Sequence, residues 1–332
     1  MSRWDSWDES RVRVRPNKKG SRPRTKETPD YSDAELARVL QVDRGRYLCS
    51  LMADESPLTA VRAKALRRTP VVPGDLVRLV GDTSGEEGTL ARLVHIEERK
   101  TLLRRSSDDE GAVEERVIVA NADQLLIVVA AANPEPRTGF IDRALVAAYE
   151  ADIEPILLIT KTDLADPAEL IAHYEQLDLT ILTSANVAQE AVSRLTELLT
   201  EKVTALIGHS GVGKSTVVNA LTGADRATGG VNAITGRGRH TSSSAVALSM
   251  PTGGWVIDTP GVRSFGLAHI DPDDVLAAFE DLAPGSADCE SNCAHLSAEG
   301  GCALDAYVEA GNAGQNGPAR LKSLRGLLQS LG

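Results

Sequence analysis

The pattern of apolar and polar positions changes several times along the chain. Residues 1 to about 40 are polar and rich in charges and prolines. From Arg44 to Val117 short alternating segments recur, as in strands that bury one face. From Ala122 onward strand-length apolar runs alternate with helical periods, and after Gly261 only helical periods remain. The pattern predicts a β region, an α/β region and an α-helical region, in that order.

Turn signals such as Val72-Pro73-Gly74-Asp75 divide the β region. Its predicted strands are Arg46 to Met52, Leu58 to Ala65, Asp75 to Val80, Thr89 to Ile96 and Arg116 to Val119. Short strands at this spacing favour a small barrel, with the OB-fold as the leading candidate. Its basic residues can form an RNA-binding face or simply be solvated, as most surface charges are. These residues are Arg62, Lys64, Arg67, Arg68, Arg78, Arg99, Lys100, Arg104 and Arg105.

The α/β region predicts a parallel sheet with flanking helices. The expected strands are Gln124 to Ala131, Glu154 to Thr160, Leu179 to Thr183, Val203 to Ile207, Ala245 to Met250 and Gly254 to Ile257. The expected helices are Phe140 to Glu150, Pro167 to Gln176, Ala188 to Leu199 and Gly213 to Leu221. Because ligands of such sheets bind at the carboxyl ends of the strands, the polar loops that follow these strands are candidate contacts.

The C-terminal region predicts helices at Asp271 to Leu282, Ala303 to Ala310 and Pro318 to Leu331. Asp271 can cap the first of them, with Pro272 in its first turn. We therefore expect a tail at residues 1–40, a barrel at 41–117, a central α/β domain at 118–268 and a helical domain at 269–332.

The composition favours a cytoplasmic protein without membrane contact. The hydrophobic content is 42% and the net charge is −11. No apolar run approaches the roughly 20 residues of a membrane span, and the N-terminus lacks the apolar core of a signal peptide. Between Arg11 and Lys26, however, the tail has eight basic residues and no acid. We expect this tail to be disordered, either inert or acting as an arm that neutralises RNA phosphates.

A glycine-rich loop lies between a strand-length apolar run and a helical pattern. Its residues are Gly208, His209, Ser210, Gly211, Val212, Gly213, Lys214, Ser215 and Thr216. The spacing G-x-x-x-x-G-K-S is that of a phosphate-binding loop. Its backbone N–H groups can face a polyphosphate, Lys214 can reach the β- and γ-phosphates, and Ser215 can offer its hydroxyl to Mg²⁺. We therefore expect a nucleoside triphosphate to bind here.

A second phosphate-site signal is Asp258-Thr259-Pro260-Gly261, which follows a predicted strand. An aspartate at a strand end can hold Mg²⁺, usually through water. Gly261 leaves its backbone N–H free to approach a γ-phosphate. Alone, these four residues are compatible with an ordinary turn. After a second strand of a phosphate-loop domain, they indicate a γ-phosphate sensor.

Two further loops are candidates for reading the base. Thr160-Lys161-Thr162-Asp163 follows one predicted strand, and Ser184-Ala185-Asn186 follows the next. A carboxylate at Asp163 can accept hydrogen bonds from guanine N1–H and N2–H₂, a donor pair that adenine lacks. The stem of Lys161 can pack on the base, and the second loop can contact guanine O6. Asp163 can also be read as the N-cap of the next helix.

Three cysteines and a histidine cluster near the C-terminus. They are Cys289, Cys293, His295 and Cys302, with the spacing C-x₃-C-x-H-x₆-C. Three thiolates and one imidazole form a tetrahedral ligand set for Zn²⁺, although reduced cysteines without a metal are the alternative. Cys49 lies apart from this cluster and is expected to be a small buried hydrophobe in the barrel.

The motifs occur in a permuted order. In ordinary GTP-binding domains the phosphate loop comes first, whereas here both base-reading motifs precede it and Asp258-Thr259-Pro260-Gly261 comes last. With the barrel before and the cysteine cluster after, residues 42–330 resemble the ribosome small-subunit-dependent GTPase A family (RsgA). Part of the resemblance is the segment Gly236-Arg237-Gly238-Arg239-His240-Thr241.

The resemblance implies an N-terminal OB-fold, a circularly permuted GTPase domain and a C-terminal α-helical zinc-binding domain. It also implies GTP hydrolysis stimulated by the small ribosomal subunit, contact with its rRNA, and a role in late maturation of that subunit. Thr241 would be the mobile-loop threonine that reaches Mg²⁺ and senses the γ-phosphate.

Some positions depart from the family pattern. Many GTPases carry a water-orienting glutamine where this chain has Val262, so intrinsic hydrolysis should be slow. His240 is the nearest substitute, although it can equally be a structural or RNA-contacting histidine. The base-reading motif begins with Thr160 in place of asparagine, which can weaken its link to the phosphate loop. The family's cysteine spacing is C-x₄-C-x-H-x₅-C, and Gly300 and Gly301 can absorb the shift by one residue.

The sequence therefore predicts a monomeric GTP hydrolase that uses Mg²⁺, holds a Zn²⁺ ion and leaves the small subunit after hydrolysis. Two other classes remain open. One is a nucleotide-stabilised RNA-binding scaffold with little turnover, and the other is an ATP-using phosphate-loop enzyme.

Overall fold

A computed structural model describes residues 31–66, 69–106, 115–177, 179–185, 189–223, 245–259, 271–298 and 301–329. The basic stretch from Arg11 to Lys26, and with it the question of whether the tail is ordered, lies outside these residues.

The first part of the described chain is a closed five-stranded barrel. Its strands are β1 (Glu35–Asp43), β2 (Arg46–Leu51), β3 (Pro57–Arg62), β4 (Leu76–Gly81) and β5 (Ala91–Ile96). The strand order is β1-β2-β3-β5-β4, and a pairing of β4 with β1 closes the barrel. Apolar side chains fill its interior, among them Val39, Tyr47, Cys49, Leu79 and Leu93. The predicted N-terminal barrel is confirmed, and Cys49 is buried in it as expected.

Two strands differ from the prediction. Strand β1 begins at Glu35, inside the range 1–40 expected for the tail. The sequence did not predict this strand because Arg38 and Gln41 interrupt its apolar pattern. The segment Arg116 to Val119 does form a strand, β7 (Glu115–Ala120), but it pairs with β6 (Leu102–Ser106) in a separate hairpin. The placement of that segment in the barrel is therefore wrong.

The central region is a mostly parallel sheet with helices on both faces. Its strands are β8 (Gln124–Ala130), β9 (Glu154–Thr160), β10 (Thr180–Ser184), β11 (Val203–Ile207), β12 (Val246–Ser249) and β13 (Trp255–Asp258). Its helices are α1 (Thr138–Glu150), α2 (Ala168–Tyr174), α3 (Gln189–Leu199) and α4 (Lys214–Thr222). The order is β10-β9-β8-β11-β13-β12, with only β12 antiparallel to its neighbour. Strands β9 and β11 have the predicted bounds.

Alternating side chains of β8 face two separate cores. Leu125 and Ile127 belong to one core, which also contains buried residues of α1 and the Tyr174 ring of α2. Leu126 and Val128 belong to the other, with residues of α3 and α4. This arrangement of layers leaves the carboxyl ends of β8, β9, β11 and β13 at one edge of the sheet.

The C-terminal helices pack onto the first of these cores. They are α5 (Pro272–Ala277), α6 (Leu304–Glu309) and α7 (Gly317–Gln329), with a 3₁₀ segment at Ala283–Asp288. Helix α5 is shorter than the predicted Asp271 to Leu282. It ends at Ala277, and turns lead from there into the 3₁₀ segment. The Phe279 ring lies 6.2 Å from the Tyr149 ring of α1, centroid to centroid. Helices α5 to α7 therefore share a continuous apolar core with α1.

The barrel and the central sheet also join through their strands. Gln41 of β1 pairs with Val246 of β12, so that eleven strands are linked in one hydrogen-bonded series. Among the described residues, no helix is both long enough and apolar enough to cross a bilayer.

Candidate functional site

The glycine-rich loop starts where the backbone of β11 meets β8. A side chain at Gly208 would place its Cβ 2.5 Å from the Val128 carbonyl oxygen, so only glycine fits there. Gly213 has φ 94°, a left-handed conformation that glycine adopts without strain, and it leads directly into α4. Ser210, Ser215 and Thr216 are exposed around the loop. The backbone thus turns tightly, and these three hydroxyl-bearing residues face solvent.

Lys214 is the first residue of α4, and it points toward the end of β13. Its Nζ donates to Asp258 Oδ1 at 2.8 Å and to the Thr259 carbonyl oxygen at 3.2 Å. The Thr259 hydroxyl in turn donates to the carbonyl of Leu206 in β11, at 2.5 Å. The loop lysine and the strand-end aspartate, which the sequence places in different motifs, are therefore in direct contact.

Thr160, at the end of β9, is tied to the glycine-rich loop. Its Oγ1 lies 2.6 Å from the carbonyl oxygen of Val212 and 3.1 Å from that of Val129, and its side chain is buried. A hydroxyl has one hydrogen to donate, and Val212 is the closer acceptor. Thr160 therefore links the two loops, although its shorter side chain was expected from the sequence to weaken this link.

The two candidate base-reading loops lie side by side. The Lys161 Nζ donates to the carbonyl oxygen of Asn133, in the loop between β8 and α1. The Thr162 N–H donates to the Ser184 carbonyl at 3.3 Å. Asp163 is exposed and does not cap α2, which begins at Ala168, so its interpretation as a helix N-cap is wrong. Its carboxylate is available at the rim of the site.

Several predicted site residues have no described position. Asn186, His240, Thr241 and Gly261 lie outside the described residues, as does Val262. Of the remaining ones, Ser184 is buried and Ala185 is exposed at the end of β10. His209 packs against the Phe140 ring of α1, with centroids 4.4 Å apart. Sequence reasoning missed this contact and the one with Asn133, because neither partner belongs to a recognisable motif.

The cysteines and histidine of the C-terminal region come together as predicted. One ligand atom from each of Cys289, Cys293, His295 and Cys302 lies within 4.8 Å of the others. The His295 Nδ1 is 3.7 Å from the Sγ atoms of both Cys289 and Cys302. A tetrahedral ion with metal–sulfur and metal–nitrogen bonds of about 2.3 and 2.0 Å separates such atoms by about 3.5 Å. The cluster can therefore hold a metal ion.

Burial affects the Cys302 thiol of this cluster. Burial, the largest cause, raises the pKa of Cys302 to about 11, with smaller upward contributions from Cys289 and Cys293. Without a cation the buried Cys302 therefore favours its neutral thiol form, and a bound cation would favour the thiolate because it stabilises the negative charge. The backbone N–H of Ala303 donates to Cys289 Sγ at 3.2 Å, and that of His295 to Cys293 Sγ at 3.4 Å.

Two charged side chains around the cluster were not found from the sequence. Asp273 Oδ1 lies 2.7 Å from His295 Nε2. Arg325 donates to the His295 carbonyl oxygen at 3.1 Å and pairs through two hydrogen bonds with Asp305. Hydrogen bonding to Arg325 lowers the pKa of Asp305. Both Asp273 and Arg325 are distant from the cysteines in the chain, so no spacing rule could have indicated them.

Comparison with known proteins assigns this arrangement to a family. The model of the RsgA GTPase family matches residues 96–268, more than half of the chain. A protein of Chlorobaculum tepidum named "Small ribosomal subunit biogenesis GTPase RsgA" is 35% identical over 272 residues, covering 79% of this chain and 85% of its own. A protein of Marinobacter nauticus with the same name is 37% identical over 222 residues, covering 64% of this chain. The chain spans only 62% of the length of that second relative.

The fold is also that of a solved structure. The crystal structure of YjeQ from Thermotoga maritima aligns with a TM-score of 0.65 and 24% identity, over 90% of this chain and 98% of that one. The loop-bearing strands β9, β11 and β13 follow one another along the chain in the permuted order of the motifs that they carry. By its sequence match and by its fold, the chain belongs to the RsgA GTPase family.

Proposed function

We propose that this protein is a GTP hydrolase that binds the small ribosomal subunit and acts in its late maturation. Membership of the RsgA GTPase family and the names of its relatives support this role. The observation that carries the proposal is the contact of Lys214 with Asp258, which brings the phosphate-loop lysine and the strand-end aspartate together beside the Thr160 link. In phosphate-loop NTPases a loop lysine of this kind binds the β- and γ-phosphates, and a strand-end aspartate helps to hold Mg²⁺.

In this proposal the triphosphate lies along the glycine-rich loop. Backbone N–H groups from Gly208 to Thr216 face its phosphates, and Lys214 binds the β- and γ-oxygens. In the structure Lys214 is paired with Asp258, so we infer that nucleotide binding exchanges this partner for phosphate oxygens. The N–H of Gly261 contacts the γ-phosphate.

The base lies beyond the end of β9. Asp163 accepts from guanine N1–H and N2–H₂, Lys161 packs along the base, and the loop Ser184-Ala185-Asn186 contacts O6. The exposed position of Asp163 and the hydrogen bond between Thr162 and Ser184 support this placement.

A magnesium ion would be held by Ser215, Thr241 and Asp258. Hydroxyl and carboxylate oxygens are the ligands that Mg²⁺ prefers. Ser215 follows Lys214 at the start of α4, and Asp258 accepts a hydrogen bond from the Lys214 ammonium. The ion would supply charge neutralisation of the phosphates. The chain itself contributes the positioning of these oxygens, and Thr241 reports through them whether a γ-phosphate is bound.

Hydrolysis needs a group that orients the attacking water. With valine at 262, we propose that His240, beside Thr241 in the sequence, takes this role in the complex with the small subunit. Turnover without the subunit is then slow, and hydrolysis drives release because the γ-phosphate contacts are lost.

We further propose that Cys289, Cys293, His295 and Cys302 bind Zn²⁺. Three sulfurs, one imidazole nitrogen and separations of 3.7 Å suit its tetrahedral preference. The ion would supply a structural cross-link in the C-terminal domain. We propose that the protein works in the cytoplasm as a monomer, with GTP, GDP and subunit rRNA as its partners.

Phosphate release from GTP, with and without purified small subunits, tests the hydrolase. We expect slow release by the protein alone, strong stimulation by subunits, and loss of both with Lys214→Ala. Binding of GTP without stimulated release would favour the nucleotide-stabilised RNA-binding scaffold. Preference for ATP in a competition assay would favour the alternative phosphate-loop enzyme.

A further inference from the structure

The orientation of the His295 ring is fixed by a carboxylate outside the cysteine cluster. Its Nε2 is 2.7 Å from Asp273 Oδ1, in the first turn of α5. An ionised carboxylate can only accept hydrogen bonds, so Nε2 carries the hydrogen. In the neutral ring the lone pair then belongs to Nδ1, which is the atom that faces the thiols at 3.7 Å.

The rest of His295 is held by other elements. Its side chain is 1% exposed, and its backbone has φ 57°, an uncommon conformation for a residue other than glycine. Arg325 of α7 fixes its carbonyl oxygen. The Asp273 side chain, in contrast, is 71% exposed, so it reaches the buried ring from the surface of the domain. Within the described residues it is the charged partner of Nε2.

Asp273 is itself held in place. Its backbone N–H donates to the side chain of Asp271, the N-cap of α5, at 3.0 Å. Neighbouring Asp274 lies in the same first turn and is exposed, but has no hydrogen bond to the histidine. The two aspartates therefore interact similarly with the dipole of α5, but Asp273 contacts His295 and Asp274 does not.

We propose that Asp273 is a positioning residue for the metal centre. By accepting the Nε2 hydrogen, it selects the tautomer and ring orientation in which Nδ1 is the ligand, and it thereby raises metal affinity. This inference rests on the proposed zinc site and adds to it a fifth residue, from a helix that carries none of the ligands.

Zinc affinity of the full chain provides the test. Metal-free protein is titrated with Zn²⁺ in competition with a chromophoric chelator, for wild type, Asp273→Ala, Asp273→Asn and Asp274→Ala. Partners of this kind are worth about 10-fold to 100-fold in affinity, so we expect Asp273→Ala to bind that much more weakly. Asp273→Asn keeps an acceptor oxygen and should retain most of the affinity. Asp274→Ala, which removes an equivalent charge from the same helix turn, should bind as wild type does.

Nitrogen NMR of the zinc-bound protein adds a readout that a loss of helix stability would not produce. In wild type the ¹⁵N shifts of the His295 ring should show metal at Nδ1 and hydrogen at Nε2. In Asp273→Ala a second ring species, or exchange between the two, should appear.

Equal affinity and equal ring shifts in Asp273→Ala and wild type would overturn the positioning role and leave the zinc site standing. An equal loss of affinity in Asp274→Ala would also overturn it, since helix charge would then be the cause. If wild type itself binds no Zn²⁺, the proposed metal site fails, and this inference fails with it.

Discussion

The hydroxyl of Thr160 donates a hydrogen bond to the backbone carbonyl of Val212, joining the end of β9 to the phosphate loop at 2.6 Å. Both residues are buried, so solvent cannot replace the bond. The loop that is proposed to read the base is therefore connected mechanically to the loop that is proposed to bind phosphates.

Replacing Thr160 with valine removes that bond while keeping the shape of the side chain. A buried hydrogen bond contributes about 1 kcal/mol net, and an unsatisfied Val212 carbonyl adds a further cost. We expect Thr160→Val to weaken GTP binding about 5-fold to 10-fold and to lower the free energy of unfolding. Titration with a fluorescent GTP analogue and urea unfolding measure the two effects. Thr160→Ser keeps the hydroxyl and serves as the control, and wild-type affinity in Thr160→Val would contradict the linking role.

Asparagine at Asp163 should change the base that is bound without harming the fold. Its carboxylate is exposed and caps no helix, so unfolding should be unaffected. An amide offers one acceptor and one donor, which suits the N1–H and C2 carbonyl of xanthine better than guanine. We expect at least ~10²-fold weaker GTP binding and a gain in XTP binding, measured by competition. Unchanged GTP affinity would place the base elsewhere.

The carboxylate of Asp142 should make stability depend on pH. It accepts a hydrogen bond from the buried Tyr174 hydroxyl at 2.8 Å, and burial, the largest cause, raises its pKa. The native state therefore holds this proton more tightly than the unfolded state. The stability contribution is present below the unfolded pKa of about 3.9 and is lost as pH rises through the raised native value.

Asp142→Asn has no such proton to lose. Its advantage in free energy of unfolding over wild type should therefore grow between about pH 4 and neutrality. Urea unfolding of both proteins across this range measures the difference. A difference that stays constant with pH would contradict the assignment to Asp142.

The buried side chain of Arg38 in β1 lowers the free energy of unfolding. It is 9% exposed, its Nε and Nη1 atoms have no hydrogen-bond partner in the described part of the chain, and burial lowers its pKa. Its guanidinium lies 5.9 Å from the centre of the Trp255 ring. Such a contact is worth about 0.5–2 kcal/mol, whereas each buried unsatisfied donor costs about 1–3 kcal/mol.

Arg38→Met should therefore stabilise the protein, by about 1 kcal/mol. The measurement is the midpoint of chemical unfolding at constant pH. Arg46→Met, at an exposed position on β2, is the matched control and should change stability little. A clear destabilisation by Arg38→Met would show that the Trp255 contact outweighs the desolvation cost.

Removing the proposed Zn²⁺ ion should loosen more than the C-terminal helices. Because α5 to α7 share an apolar core with α1, loss of the cross-link should reduce packing on α1 as well. We expect a chelator to raise amide hydrogen exchange in α1 together with α5 to α7, while β2 and β3 stay protected. Exchange that rises in the C-terminal helices alone would show that the shared core does not transmit the change.

The sequence predicted those parts of the protein where local pattern and chemistry agree. Strands β9 and β11 are short, largely apolar segments, the first ending at Thr160 and the second followed by the glycine-rich loop, so their bounds could be predicted directly. The cysteine cluster could be predicted because its ligands lie close together in the chain. The contacts of Asp273 with His295 and of Lys161 with Asn133 could not, since each joins residues that only the tertiary fold brings together. Strand β1 was missed because Arg38 and Gln41 lie within it.

The single pairing of Gln41 with Val246 has a consequence for how the protein can be divided. Strand β12 is the last strand of the central sheet, and without β1 its unpaired N–H and C=O groups would face solvent. Exposed strand edges are templates for pairing with other chains. Deleting the barrel to obtain a smaller nucleotide-binding fragment would therefore uncover an aggregation-prone border. The barrel therefore covers an edge of the central sheet that would otherwise favour self-association, and this role does not depend on any contact with RNA.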